Sequence, residues 1–357
     1  LKSLESVLVI DPVELLAGLV RQVSYSTQEE AAVRYLVAQM DALGYDRAFR
    51  DEAGNAVGII GDGPREIVLL GHIDTVPGVI PVEIRDGNLY GRGTVDAKGP
   101  LATFVCGAAR TGKIPGWRVV VVGAVEEEYA TSKGARYAAT QYHPDMCIIG
   151  EPSSWDRITL GYKGRILVDY TQVRPLSHTA RPEPNALEQA VDFWNAARAW
   201  SAARNEGRER AFEQIMPSLR SIRSNDDGFH ETAEMTFAFR LPLDIPPQMV
   251  TDALVPLAGT ARLAFRGEEV AYRSEKNTPL ARLFLNAIRD AGGKPNYVYK
   301  TGTSDMNVVG PAWGCPTLAY GPGDSALDHT PEEHLPLADY HTTITVIAGV
   351  LRGLSNL

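Results

Sequence analysis

Two histidines and a set of carboxylates recur where the chain leaves short apolar segments, and these side-chain types together can hold divalent metal ions for hydrolytic chemistry. His72 follows the apolar run EIVLL in the segment GHIDTVPG, two residues ahead of Asp74. Asp96 lies in GRGTVDAKG, Glu126-Glu127-Glu128 close the run VVVVGAV, Glu151 closes MCIIG, and His329 lies in DHTP just behind Gly321-Pro322-Gly323. Taken alone, His72 reads as a structural histidine and Asp96 as the N-cap of a following helix. Taken together, carboxylates crowded at the exits of apolar strands repel one another unless a cation sits among them. Imidazole and carboxylate donors without thiolates suit Zn²⁺, with Co²⁺ or Mn²⁺ as alternatives, and two histidines with three carboxylates suffice for two ions that share a bridging acid. Ions about 3.5–4 Å apart in such a site activate water and polarise a carbonyl.

The elements that must position these groups follow an α/β rhythm. Asp11-Pro12-Val13-Glu14 predicts an N-cap with proline at the first helical position, and Thr27 with Glu30 repeats the capping signal ahead of a helix ending near Gly44. Apolar runs at 55–60, 66–70, 118–125 and 146–149, with helical patterns at about 97–110 and 132–140, predict a sheet covered by helices on both faces, an arrangement in which ligands gather at the carboxyl ends of strands. From about Gly161 the pattern changes to strand (166–172), helix (185–200), strand (234–240), helix (246–257) and strand (261–265), a compact α+β unit. After Asn277 the earlier alternation resumes. The expected organisation is therefore α/β and two-domain: a mixed-sheet catalytic domain in two parts, residues 1–160 and 277–357, with an inserted domain at 161–276. The polar stretch 201–231 reads as a surface helix and loop.

Bulk properties narrow the partners. The 357 residues are 44% hydrophobic and 22% charged, with no apolar run near the roughly 20 residues a membrane helix needs. A net charge of −9 and the lack of a basic cluster interleaved with aromatics argue against nucleic acid. Cys106, Cys147 and Cys315 are odd in number and set among apolar residues, so free thiols are expected in place of disulfides. The opening LKSLESVLVI has no signal-peptide pattern, and a cytoplasmic location is expected.

Read in order, GHIDTVPG, GRGTVDAKG, VEEE, GEP, SHTARP, GTSD and DHT resemble the M20 family of metallopeptidases and amidohydrolases, over essentially the whole chain. The resemblance implies that His72 and Glu151 hold one metal, that Glu128 and His329 hold the other, and that Asp96 bridges them. Asp74 would orient His72, and Glu127 would be the general base that takes a proton from the attacking water and passes it to the leaving amine. Glu126 departs from the pattern, which usually has Asp there; the register is taken from the distance to Gly134-Ala135. The same resemblance makes the inserted domain a lid or dimerisation domain. His178 would be an oxyanion donor, often supplied across a homodimer interface, in place of an ordinary loop histidine. Arg240 would clamp a substrate carboxylate with help from Gly302, Thr303 and Ser304, although Thr303 or Ser304 could equally cap a helix.

A finer likeness, in SHTARP and GTSDMN, is to the branch that releases lysine or ornithine from the terminal glutamate of a small acidic amino-group carrier protein in lysine, and possibly arginine, biosynthesis. An N-acetyl- or N-succinyl-amino-acid deacylase is the alternative within hydrolases. A non-catalytic binding protein on the same fold is the alternative of another class, and it would be favoured by loss of Asp74, Glu127 or a ligand, none of which is missing. Arg198, Arg204, Arg208, Arg210, Arg220 and Arg223 gather in the inserted domain, where an acidic partner could dock; equally, they could pair with Glu206, Glu209 and Glu213.

Overall fold

A computed structural model describes residues 10–178, 180 and 182–357. The opening nine residues, and Thr179 and Arg181 of the SHTARP segment, lie outside the described residues. The chain divides into two compact units. The first runs through Gly161 and takes in Ser274–Val298 and Val308–Leu357; the second comprises Tyr162–Arg273 and Tyr299–Asn307.

In chain order the elements are α1 (Pro12–Arg21), α2 (Glu30–Ala42), β1 (Arg47–Arg50), β2 (Ala56–Ile60), β3 (Arg65–His72), β4 (Glu83–Arg85), β5 (Asn88–Tyr90), α3 (Lys98–Thr111), β6 (Trp117–Ala124), α4 (Lys133–Gln141), β7 (Met146–Gly150) and β8 (Arg157–Tyr162). There follow β9 (Gly164–Pro175), α5 (Ala186–Asn205), β10 (Met216–Asp226), β11 (His230–Leu241), α6 (Pro247–Leu254), β12 (Arg262–Glu269) and β13 (Tyr272–Arg273). The last are α7 (Pro279–Asp290), β14 (Asn296–Lys300), α8 (Met306–Trp313), β15 (Thr317–Ala319), β16 (His334–Pro336) and α9 (Leu337–Gly353). Among the described residues no helix is long and apolar enough to cross a membrane.

The first unit is built on a mixed sheet in the order β1-β2-β6-β3-β7-β15-β8. Its centre, β6-β3-β7, is parallel, and nearly every residue of these strands is buried on both faces, which explains their unbroken Val/Ile/Leu character. The register places His72 beside Ala124 and Gly71 beside Gly150, so the three strands end at one level and release their following residues into the same space. Helix α3 packs close over these ends. A Cβ on Gly150 would lie 2.9 Å from Phe104 Cε2 and 3.0 Å from Gly71 Cα, so glycine here sets how near α3, and the Asp96 that precedes it, can come.

Two capping expectations are corrected. Asp11 does cap α1, with Oδ1 accepting from Val13 N–H at 2.9 Å. By contrast α2 begins without a Thr27 cap: Thr27 has φ of 75° and its N–H donates to the buried Glu29 carboxylate, which also accepts from Glu126 N–H. Nor does Asp96 cap α3, because its carboxylate faces two histidines instead.

The second unit is a four-stranded antiparallel sheet, order β10-β11-β9-β12. Its core joins Ile166, Val168 and Tyr170 of β9 with Phe237, Phe239 and Leu241 of β11 and Ala190, Phe193 and Ala197 of α5. Asn185 and Glu188 close a reciprocal capping box at the start of α5. The stretch expected to be helix and loop contains an edge strand instead: β10 pairs with β11 along its length, with an irregularity at Arg220. Nearly every side chain of β10 is exposed, so the sequence shows no period-two apolar signal and only the backbone ladder defines the strand.

Gly150→Ala should destabilise the protein by about 1–3 kcal/mol, because the added methyl must displace Phe104 or the neighbouring strand. Urea denaturation at unchanged m-value measures this; a loss below about 0.5 kcal/mol would mean that α3 is free to move away.

Candidate metal centre

The site in the first unit forms where β3, β6 and β7 end. Ligand-type atoms of His72, Asp96 and Glu151 lie within 4.8 Å of one another, as do those of His72, Glu127 and Glu128 and those of Asp96, Glu128 and His329. His72, Asp96 and Glu128 each belong to two of these groups. His72, Asp96, Glu127, Glu128, Glu151 and His329, six residues that the sequence singles out, therefore converge, with Asp74 immediately behind them.

The triple glutamate separates by conformation. Glu126 has φ of 61° and directs its carboxylate to Thr131 Oγ1, at 2.5 Å, and toward Lys133. Glu127 and Glu128 point into the cluster instead. Their N–H groups donate to the two oxygens of Asp74, at 3.1 and 3.0 Å, and Ser26 Oγ donates to the same carboxylate at 2.7 Å. Asp74 is fully buried, so these donors are what make its burial tolerable, and in return it fixes the backbone from which both glutamates project.

Asp74 also orients His72. Nδ1 lies 3.1 Å from the Asp74 carbonyl oxygen and 3.4 Å from its Oδ1, both acceptors, so Nδ1 carries the proton and Nε2 is turned to Asp96 Oδ1 at 3.1 Å. His329, with φ of 62°, brings Nε2 to 3.0 Å from Asp96 Oδ2 and 2.9 Å from Glu128 Oε1. Such a backbone conformation is sparsely populated by residues other than glycine and tends to occur where a side chain must be aimed.

The electrostatics describe a site built for cations. Burial alone would depress His72, but Asp74 and Asp96 overcome it and hold the imidazolium well above its ordinary range. Hydrogen bonds to Asp96 and Glu128 push His329 up to about 10. Asp96 is held far below the usual carboxylate range, against its burial, by His329 and His72. Glu128 is raised, first by burial and then by the neighbouring Asp96 charge. Without an ion, the surrounding acids thus favour the protonated form of both imidazoles. The donor set, nitrogen and oxygen without sulfur, fits divalent ions of the zinc type, which would replace those protons.

Three contributors were not anticipated. Glu333, fully buried, accepts three N–H groups of the loop leading to Asp96; Lys98, whose buried ammonium is pushed down to about 7, donates to the Gln22 carbonyl oxygen; and Ser26 holds Asp74. Glu333 stands four residues beyond His329, and that proximity is the one signal by which it could have been found.

The remaining candidates belong to the second unit. His178 is exposed in the loop after β9, with Nδ1 accepting from Ala180 N–H at 3.1 Å. Arg240, near the end of β11, donates from Nη1 to Thr303 Oγ1 at 2.7 Å, and that hydroxyl donates onward to the Lys163 carbonyl oxygen. The Gly302 carbonyl oxygen accepts from Lys163 N–H. Ser304 Oγ accepts from Met306 N–H at the start of α8, which is the capping role. The hydroxyls of Thr303 and Ser304 are thus committed within the protein.

Residues 68–353 match the model of Peptidase family M20/M25/M40, and the chain belongs to that family. Within it, the chain is 44% identical over 349 residues to the LysW-lysine hydrolase of Deinococcus radiodurans, covering 96% of both chains. It is 37% identical over 347 residues, 96% of this chain and 92% of the other, to a Thermococcus kodakarensis protein provisionally named a LysW-lysine/LysW-ornithine hydrolase. Among solved structures, an M20 family metallo-carboxypeptidase from Sulfolobus solfataricus shares the fold, with TM-score 0.81 at 16% identity over 97% of this chain and all of that one.

Metal uptake should be linked to protons with a definite sign. His329 is protonated below about 10 in the metal-free protein and must be neutral to ligate, so uptake at pH 7 releases protons and apparent affinity falls as pH falls. Each displaced proton makes the dependence about tenfold per pH unit. Calorimetric zinc titration in buffers of different ionisation enthalpy reads this directly; an identical heat in all buffers would show that the histidines are already neutral.

Proposed function

We propose that the chain is a two-metal amide hydrolase that releases lysine or ornithine from the terminal glutamate of a small acidic amino-group carrier protein, in lysine and possibly arginine biosynthesis. The observation that carries the chemistry is the convergence of His72, Asp96, Glu127, Glu128, Glu151 and His329 at the ends of three parallel strands. The substrate reading is supported by the relative that is 44% identical over nearly the whole chain.

In this reading His72 and Glu151 would hold one ion and Glu128 and His329 the other, with Asp96 shared between them, zinc being the favoured metal and cobalt an alternative. Such ions supply Lewis-acid stabilisation of the developing carbonyl charge and lower the proton affinity of the attacking water. Glu127, held at its backbone by Asp74, takes the proton of that water and delivers it to the departing nitrogen, so that amide and water become carboxylate and amine. Asp74 keeps His72 in the tautomer that leaves Nε2 free to ligate. His178 donates to the oxyanion, and Arg240, anchored on Thr303, takes the α-carboxylate of the amino acid. The second unit serves as the lid or dimerisation domain of a cytoplasmic homodimer.

Its basic residues suit an acidic carrier. Of the six arginines, Arg208 pairs with Asp244 at 2.5 Å, Arg223 with Glu234 at 2.7 Å, and Arg204 stacks over Trp200, while Arg210 approaches Glu213 only at 4.0 Å. Arg220 is depressed by burial and then by Arg165 and Arg266, a concentration of positive charge that an acidic surface would relieve.

Glu127→Gln should keep metal content near wild type while turnover falls at least about a hundredfold. Glu126→Gln, whose carboxylate serves Thr131 and Lys133, should change turnover by no more than about twofold. Metal loss in Glu127→Gln but not in Glu128→Gln would shift the assignment by one residue. For the substrate, kcat/KM on the carrier-linked amino acid should fall steeply with added salt while that on N-acetyl-lysine stays flat, because exposed charges are screened within about 8 Å at physiological ionic strength. Equal kcat/KM values and equal salt dependence would instead favour the simple deacylase.

A further inference from the structure

The acids that hold the candidate centre sit on separate loops, and one buried ion pair joins three of those loops. Glu333 has no solvent exposure. Its Oε1 accepts from the N–H groups of Gly93, Val95 and Asp96, at 2.9, 3.0 and 3.2 Å, and its Oε2 accepts from Arg92 Nη1 at 2.7 Å. Its own carbonyl oxygen accepts from Gly91 N–H at 3.3 Å. Arg92 continues outward, from Nη1 to the Thr330 carbonyl oxygen at 3.2 Å and from Nε to the Gly78 carbonyl oxygen at 3.3 Å. The loop ending in Asp96, the segment running on from His329 and the segment running on from His72 and Asp74 are thereby tied at one point.

This arrangement is more than a plug for a buried gap. A carboxylate buried to this extent is costly unless its lone pairs are filled, and here they are filled by the backbone just ahead of Asp96 and by an arginine that touches the other two segments. Gly93 has φ of 88° and presents its N–H to Glu333, so the loop conformation itself depends on the carboxylate. None of these groups reaches the ligand atoms directly. What they fix is the separation of Asp96, His329 and His72, a quantity to which metal affinity is acutely sensitive.

We propose that the Arg92–Glu333 pair is a positioning clasp that sets the geometry of the metal-holding residues, so that its loss weakens metal binding in a protein that remains folded. The inference rests on the reading of His72, Asp96, Glu128, Glu151 and His329 as the ligand set. Glu333→Gln retains size and an acceptor for the backbone but presents an amide N–H₂ to Arg92; Arg92→Lys keeps the charge but cannot span Glu333, Thr330 and Gly78 together.

The experiment is zinc affinity of the full chain, stripped of metal and titrated in competition with a chelator well below the melting temperature. Glu333→Gln should bind zinc about 10–100-fold more weakly than wild type, and Arg92→Lys should lie between the two. Val350→Ala, which thins the core in α9 away from these loops, serves as a control for lost stability alone and should keep wild-type affinity. If Glu333→Gln fails to fold, Arg92→Lys carries the test. Folded variants with zinc affinity within about twofold of wild type, or an equal loss in Val350→Ala, would overturn the clasp. A wild-type protein that binds no zinc, cobalt or manganese would overturn the ligand assignment instead, which keeps the two failures apart.

Discussion

Like-charge crowding at the ends of β3, β6 and β7 is the constraint around which the first unit is arranged. Two ionised carboxylates within the 4.8 Å that separates ligand atoms here repel by about 3–4 kcal/mol at an effective dielectric near 20. Several such pairs would approach the whole net stability of a domain, about 5–15 kcal/mol. The fold answers with counter-charges at the centre and rigid scaffolding behind. The imidazoles of His72 and His329 lie against Asp96 from both sides, and the buried parallel strands deliver His72, Glu127, Glu128 and Glu151 to the same place.

Identical side chains acquire different tasks from the donors around them. Asp74 is saturated by Ser26 and by the N–H groups of Glu127 and Glu128, and so acts on the backbone and on His72. Glu333 is saturated by three N–H groups and Arg92, and acts on the Asp96 loop. Glu126 is drawn off by Thr131 and Lys133. The carboxylates of Asp96, Glu127, Glu128 and Glu151 meet imidazole or one another, which is the condition under which a divalent cation becomes the favoured occupant.

The second unit works by different physics. Its sheet carries Arg240 near the end of β11, where Thr303 Oγ1 accepts from Nη1 at 2.7 Å. Lys163, pushed down to about 8 by burial and then by Arg208 and Arg240, adds to a cationic interior in a chain whose net charge is negative.

The sequence by itself marked the polar residues that converge at the candidate centre and the strands that deliver several of them. Unbroken apolar runs ending in His or Glu can be read without coordinates, because burial on both faces of a parallel strand demands such runs and the polar residue marks where burial stops. The change in the alternation of helix and strand near Gly161 is also written in the sequence. Only the tertiary structure decided which oxygen faces which nitrogen. Glu126, Glu127 and Glu128 are indistinguishable as letters, and it is φ of 61° at Glu126 and the Asp74 carboxylate beneath the next two that part them. Asp96 satisfied every local rule for a helix cap, yet the histidines claim its carboxylate over a sequence separation of 24 on one side and far more on the other. Glu333 and the exposed strand β10 carried no periodic signal, since one is specified by the N–H groups of a distant loop and the other by a backbone ladder; only the nearness of Glu333 to His329 marks it in the sequence.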